Sequence, residues 1–239
     1  MKTVLLKFAG PLQSWGTDSH FETRHTDTHP SKSGVLGMIA AGLGYGRDDD
    51  ENLSKLNALQ FAVRVDQAGQ ILRDYHTAKK YKKNGELERT YVTNRYYLQD
   101  AVFLVALSSD EESLVNDVKT AVTYPYYPIF LGRRALPPTA ELFQGIYNTD
   151  AVTLLKEYPW QASVRYQQRH SNRIQIYADS VLLDSNSIRL RNDIACSFSQ
   201  IQGRKFRLRK EARITVDAVI PDKPDKKDEH DIFKALGED

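Results

Sequence analysis

Two groups of residues in this chain have the types and spacing that chemistry needs. The first is Pro30-Ser31-Lys32-Ser33-Gly34, which opens into a small-residue apolar run over 35–42. A helix that starts on Ser/Lys/Ser aims unpaired backbone N–H groups, partial positive charge and a lysine at one point. That suits an anionic oxygen, most often a phosphate. The other reading is an ordinary capped helix, since the Gly-x4-Gly-Lys-Ser/Thr order of a Walker loop is absent. The second group is Tyr75-His76 with Lys79 or Lys80. A metal-free ribonuclease uses such a trio, with histidine moving the proton and lysine stabilising the charged phosphorane. The other reading is a hydrogen-bonded structural histidine or an RNA contact at a strand end.

Other chemistries find little support. The single cysteine, Cys196, has no partner for an internal disulfide and points to a reducing, intracellular setting. The six histidines, His20, His25, His29, His76, His170 and His230, lack metal-ligand spacing. Ser-His-Asp order and the Gly-x-Ser-x-Gly elbow are missing. No cofactor or metal is expected. No apolar run approaches the ~20 residues a bilayer span requires, and the N-terminus has no signal-length apolar core. The expectation is a cytoplasmic protein without a membrane partner.

Net charge is only +2, from 33 Lys+Arg and 31 Asp+Glu, but the cations are clustered. Residues 77–95 hold Lys79, Lys80, Lys82, Lys83, Arg89 and Arg95 around a tight-turn signal at Asn84-Gly85. Arg133-Arg134 follow a glycine, and residues 204–213 alternate cations with other side chains. Such segments, offset by acidic turns and tail, form the footprint of a phosphate-backbone binder.

The elements that must position these groups start with an apolar strand at 4–8 and a turn at Gly10-Pro11. The Ser31 helix follows, then a short helix ending at Leu59. A strand at 60–65 and a returning strand at 71–76 flank a hairpin turn at 67–70. The basic projection, one long strand over 96–107 and a helix after Ser108-Ser109 complete the first half. Beyond Pro137, residues 142–160 read as partly helical, with Asp150 capping 151–157. Residues 163–166, 174–178, 188–191 and 213–219 read as strands. The order is close to the split βαβ arrangement of ferredoxin-like domains, with one strand too many. The aromatic motif of ordinary RNA-recognition modules is missing. The expected class is α+β: a ferredoxin-like core over 1–136, a thumb hairpin near 77–95, a smaller strand-rich C-terminal subdomain over 137–220, and a mobile tail over 221–239.

Several signatures then combine: Leu6-Lys-Phe-Ala-Gly-Pro-Leu-Gln-Ser-Trp-Gly16, Arg24, Pro30-Ser-Lys-Ser-Gly-Val-Leu-Gly37, Arg73-Asp-Tyr-His-Thr77, Arg95-Tyr-Tyr-Leu-Gln-Asp-Ala101 and Phe130-Leu-Gly-Arg-Arg134. Together, over about residues 1–220, they resemble the CasD family, the subunit of type I-E CRISPR Cascade that holds the 5′ handle of CRISPR RNA. The resemblance implies a subunit that caps the guide RNA and touches the neighbouring backbone subunit and the large subunit. It meets target DNA only within the complex. It also implies a thumb that helps kink the guide, and no processing activity of its own in the I-E subtype. A related I-C subunit does cut repeat RNA with Tyr, Lys and His implicated, which keeps Tyr75, His76 and Lys79 under consideration. The RNA-contact residues implied are Gln13, Trp15, Arg24, Ser31, Lys32, Ser33, His76, Lys80, Arg95, Arg133 and Arg134. Trp15 has two readings, a base-stacking platform or a buried core ring. The 204–213 stretch faces RNA, a partner subunit or solvent.

Overall fold

Val4, Leu5, Leu6 and Phe8 are all fully buried, on both faces of the strand that carries them. The computed structural model, which describes residues 1–17 and 22–221, explains why. Strand β1 (Lys2–Ala9) is followed by short β2 (Leu12–Gln13) and β3 (Thr23–Arg24), then by helices α1 (Lys32–Gly42) and α2 (Asp50–Asn57). Next come β4 (Gln60–Gln67), β5 (Gln70–Tyr81), β6 (Leu87–Gln99), β7 (Val102–Ser109) and α3 (Glu112–Thr123). The second half holds β8 (Phe143–Tyr147), α4 (Ala151–Glu157), α5 (Val164–Gln167), β9 (Arg173–Asp179), β10 (Ile188–Ser197) and β11 (Lys205–Asp217). The main sheet is antiparallel throughout, in the order β10-β11-β9-β4-β7-β1-β8.

Val4, Leu6 and Phe8 face Val35, Leu36 and Ile39 of α1 and Val115 and Val118 of α3. Leu5 faces the other way, into a second core with Leu104, Ile176, Val152 and Leu155. Helices on both faces make the central strands continuous apolar runs. Each such buried side chain contributes about 1.5–3 kcal/mol of transfer free energy.

The sequence predicts a hairpin turn at 67–70 and one strand over 96–107. The structure replaces both with a change of sheet. β4 stays in the main sheet, whereas β5 leaves it and pairs only with β6. The long apolar stretch is cut at Asp100, which has φ 55, so β6 ends before β7 re-enters the main sheet. Gly69, at φ +71, sits where a Cβ would lie 2.5 Å from the Gln99 carbonyl oxygen. The two crossing points therefore lie backbone against backbone. From them extends the β5–β6 hairpin, longer than the projection predicted at 77–95. It turns at Gly85, φ +86, whose N–H donates to the Lys82 carbonyl. Residues 79–90 are exposed on both faces.

In the second half the Asp150 cap is as predicted: its carboxylate accepts from Val152 and Thr153 N–H, and α4 follows. Residues 143–147 are a strand rather than helix and pair with β1. Residues 163–166 are not a strand: Ser163 caps α5 instead. The predicted domain boundary at 137 falls inside one continuous sheet, because β8 covers one edge of β1 and β9 extends the sheet from β4. Pro221 is the last described residue. The rest of the tail predicted to be mobile lies outside the described residues.

Candidate nucleic-acid interface

The start of α1 does hold an anion, and the chain itself supplies it. Ser31 caps the helix, its Oγ accepting from Gly34 N–H. The next N–H, on Lys32, donates to Asp193 Oδ2 at 3.0 Å. Lys32 Nζ donates to Asp179 Oδ2 at 3.1 Å. Ser31, Lys32 and Ser33 are all buried. The dipole and lysine that favour a phosphate favour a carboxylate equally. A β10 carboxylate fills the place predicted for RNA, so these three residues are corrected to structural roles.

Around them lies an ion network built from strands far apart in sequence. Lys32, Arg189, Arg191 and Arg209 face Asp27, Asp179, Asp193 and Glu211. Arg209 grips Asp193 with Nε at 2.7 Å and Nη2 at 2.8 Å. The period-two cations of 204–213 thus divide: Arg209 is buried under α1, while Lys205, Arg207, Lys210 and Arg213 are exposed. Buried His29 sits in the network, stacked on Tyr177. Its Nε2 meets Arg191 Nη1 at 2.6 Å and Arg189 Nη2 at 3.2 Å. Guanidinium groups only donate, so Nε2 is the acceptor and the proton sits on Nδ1.

Burial first, then the charges of Arg191 and Arg189, hold the His29 imidazole below its usual value. Burial alone would raise Glu211. The charges of Arg191 and Arg209 beside it outweigh burial and hold that carboxyl well below the usual range. Both folded values are depressed. The stabilisation is therefore complete above the unfolded values, about 6.5 for His and 4.3 for Glu, and drains away as pH falls. Urea denaturation should give a stability at least ~1 kcal/mol lower at pH 4 than at pH 7. His29→Gln should flatten the part of that decline between about pH 6.5 and 5. Equal stability at both pH values would contradict this account of the network.

Trp15 and Gln13 are also corrected. Trp15 is 2% exposed, stacks on Phe8 at 5.3 Å, and donates Nε1–H to Gln13 Oε1 at 3.0 Å. Gln13 is fully buried and donates Nε2–H to the Ala101 and Phe8 carbonyls. Both are core residues that brace β2 against the crossing point.

The remaining candidates gather on the hairpin. Residues directly opposite across β5 and β6 share a face and alternate. One face carries Lys80 with Arg89, His76 with Thr93, Asp74 with Arg95 and Leu72 with Tyr97. The other carries Lys79 with Thr90, Tyr75 with Asn94 and Arg73 with Tyr96. Consequently Tyr75 and Lys79 lie across the sheet from His76, whereas Lys80 shares its face, so Tyr75 and His76 do not converge on one phosphate with either lysine. His76 Nδ1 lies 3.3 Å from Thr93 Oγ1, and Lys80 pairs with Glu88 at 2.7 Å.

At the root of the first face, β3 pairs with β6 and sets Arg24 beside Arg95. The loop carrying Arg133 and Arg134 is pinned there by Gly132, at φ +92, where a Cβ would fall 1.6 Å from the Ser14 carbonyl oxygen. Ser14 N–H donates to the Leu131 carbonyl, and Leu131 N–H to that of Leu136. So placed, the Arg133 guanidinium lies 4.4 Å over the Tyr97 ring and donates Nη2–H to the Arg24 carbonyl at 3.0 Å. Its Nη1 is buried without an acceptor among the described residues. Arg24, Arg95 and Arg134 make no ion pair among the described residues, although Asp74 stands opposite Arg95, in contrast to Arg191 and Arg209. The structure thus unites His76, Lys80, Arg95, Arg24 and Arg133 along one face and its root, with Arg134 exposed on the same loop. Cations and a ring in that arrangement can hold a phosphate backbone and a base.

A family model described as CRISPR-associated protein (Cas_Cas5) matches residues 3–211. The chain belongs to this family. Among Cas5 relatives, the CRISPR system Cascade subunit CasD of Escherichia coli (strain K12) is 38% identical over 156 residues, which are 59% of this chain and 70% of that protein. A chain of a CRISPR RNA-guided surveillance complex superposes with TM-score 0.75 at 29% identity, covering 99% of this chain and 100% of its own. A further Cas protein crystal structure gives TM-score 0.69 at 28% identity, covering 93% of this chain and 100% of its own. These findings bear out the resemblance read from the motifs.

Two residues of this candidate site escape a reading of the sequence, Tyr97 and Gly132. Tyr97 lies on the cationic face with Arg89, and the period-two spacing Arg89-Tyr91-Thr93-Arg95-Tyr97 is the available signal. Gly132 stands out in the sequence only as the residue before two arginines. Its need for a side-chain-free position depends on Ser14, remote in sequence, and has no local signature.

Proposed function

We propose that this chain is the non-catalytic, RNA-gripping subunit of a CRISPR Cascade surveillance complex, holding the 5′ handle of the guide RNA and supporting crRNA-guided DNA interference. The observation that carries the reading is the cationic hairpin face, with Arg24, Arg95 and Arg133 at its root and a buried guanidinium nitrogen that lacks an acceptor among the described residues. Such machines leave sequence reading to base pairing, while the protein grips backbone and shape. Family membership and the Cascade subunit among its relatives support the assignment. The antiparallel order β4-β7-β1-β8, with α1 and α3 between its strands in sequence, supports reading a ferredoxin-like core. The hairpin's length and exposed end support reading it as the thumb that meets the guide and the adjoining backbone subunit. The large subunit and target DNA join the same assembly. No helix among the described residues is long and apolar enough to cross a membrane.

The reading of a grip rather than a nuclease is supported by the alternation of β5, which puts Tyr75 and Lys79 on the face opposite His76 and Lys80. Labelled repeat RNA incubated with the purified chain in EDTA should be retained on a filter and stay full length. A site-specific product that disappears in His76→Ala would overturn the non-catalytic reading.

A further inference from the structure

At the root of the hairpin, between the crossing points and α5, lies a cleft of about 1000 Å³. Its lining includes Gln70, Gln99, Arg165, Tyr166, Arg169 and His170. We propose that this cleft is a further subsite for a nucleotide of a single RNA strand, continuing the track of the cationic face. The proposal rests on the RNA-gripping reading given above.

Sequence spacing explains how the groups converge. Arg165 and Arg169 are four apart, as are Tyr166 and His170. The turn that α5 starts continues through them, with the N–H groups of Arg169 and His170 both donating to the Tyr166 carbonyl. Residues at that spacing share one side. Tyr166 is fixed from below by an edge-on contact with buried Trp160 at 6.4 Å. Its ring stacks on His170 at 3.8 Å and 10°. The exposed imidazole is therefore a held plate, and a base laid on such a ring gains stacking in any sequence. Arg165 and Arg169 are outside the core, and neither has a carboxylate partner among the described residues. One carboxylate residue, Asp100, also lines the cleft, leaving two cations to one anion.

Gln70 and Gln99 face each other across β5 and β6. By alternation they share the face of Leu72 and Tyr97, Asp74 and Arg95, and His76 and Thr93. A strand running down that face from Lys80 past Arg95 and Tyr97 arrives at these two amides and then at the cleft. Each exposed amide offers both donor and acceptor to a base edge, and the arginines offer forks to the next phosphate. Stacking ring, amides and unpaired guanidinium groups at the end of one cationic path are the parts of a nucleotide subsite. A solvated loop would not need its histidine stacked on a tyrosine that is itself set edge-on against a buried tryptophan.

The test compares the full chain with R165A/R169A and with His170→Ala, using fluorescein-labelled single-stranded repeat RNA and DNA of the same sequence. Melting temperatures are recorded as a check, and Tyr166 is left in place because it packs on the core. Removing both arginines frees two phosphates and should lower the slope of log K against log salt by about 1.4. His170→Ala should weaken RNA binding about fivefold or more. An equal loss for DNA supports a cleft that reads phosphate and base. A loss confined to RNA supports one that also reads the ribose. If the parent chain binds RNA, Arg95→Ala weakens it, and both cleft variants bind within about twofold of the parent, the cleft inference falls while the grip stands. If the parent chain binds no RNA, both fall.

Discussion

Asp193→Ala should cost the fold about 3–5 kcal/mol, a large share of the 5–15 kcal/mol that stabilises a typical domain. Removing this carboxylate strips Arg209 of its two-pronged partner at 2.7 and 2.8 Å and Lys32 N–H of its acceptor at 3.0 Å. Arg209 is only 5% exposed and keeps Asp179 and Glu211, but those carboxylates already serve Lys32, Arg189 and Arg191. The buried cluster would then hold an uncompensated positive charge, and a missing partner in a buried pair costs far more than the pair contributes. For a chain of this size the melting temperature should fall by roughly 6–20 °C. The exposed pair Lys80–Glu88 provides the contrast, since its disruption should cost under about 1 kcal/mol. Scanning calorimetry of Asp193→Ala beside Lys80→Ala decides the matter. Equal melting temperatures would mean that the network does not anchor α1.

The second large effect is expected from Gly132→Ala. A left-handed backbone costs a side-chain-bearing residue about 1–3 kcal/mol, and here the added carbon meets a carbonyl oxygen of β2's neighbour Ser14 rather than a yielding side chain. The loop has to lift, which breaks the Ser14–Leu131 backbone hydrogen bond at 3.1 Å and draws Arg133 off Tyr97. Adding about 1 kcal/mol for that bond brings the expected loss to roughly 2–4 kcal/mol. RNA affinity should fall with it, because Arg133 leaves Arg24 and Arg95. A fluorescence titration with repeat RNA, run well below the variant's melting temperature, separates the two losses. A Gly132→Ala chain that melts and binds like the parent would show that the loop does not hold the arginines.

Local patterns are readable in the sequence where one element answers to one neighbourhood. The buried run at 4–8, the Asp150 cap and the Ser31 cap all follow from side chains within a turn of the feature. The arginine-bearing face is half readable, since Arg95 and Arg133 stand out while Tyr97 does not. What escapes is pairing at a distance. Lys32 and Asp193 are 161 residues apart, so nothing near Ser31 indicates that the helix dipole already has its anion. Likewise the cations of 204–213 look like one stripe facing RNA, a partner subunit or solvent until β9 and β10 bring Asp179 and Asp193 against Arg209. Trp15 keeps two readings, platform or core ring, until Phe8 and Gln13 enclose it. The break at Asp100 is hidden because apolar residues continue on both sides of a change of sheet.

These corrections move the expected grip from the start of α1 to the hairpin face, and one measurement bears on that most directly. The affinity of the full chain for single-stranded repeat RNA, followed against salt, should have a slope that falls by about 1.4 in R95A/R133A, because each of two phosphates no longer neutralised removes roughly 0.7. Lys79→Ala on the opposite face should leave the slope unchanged. A slope that stays the same in R95A/R133A, or falls equally in Lys79→Ala, would contradict an RNA grip on this face.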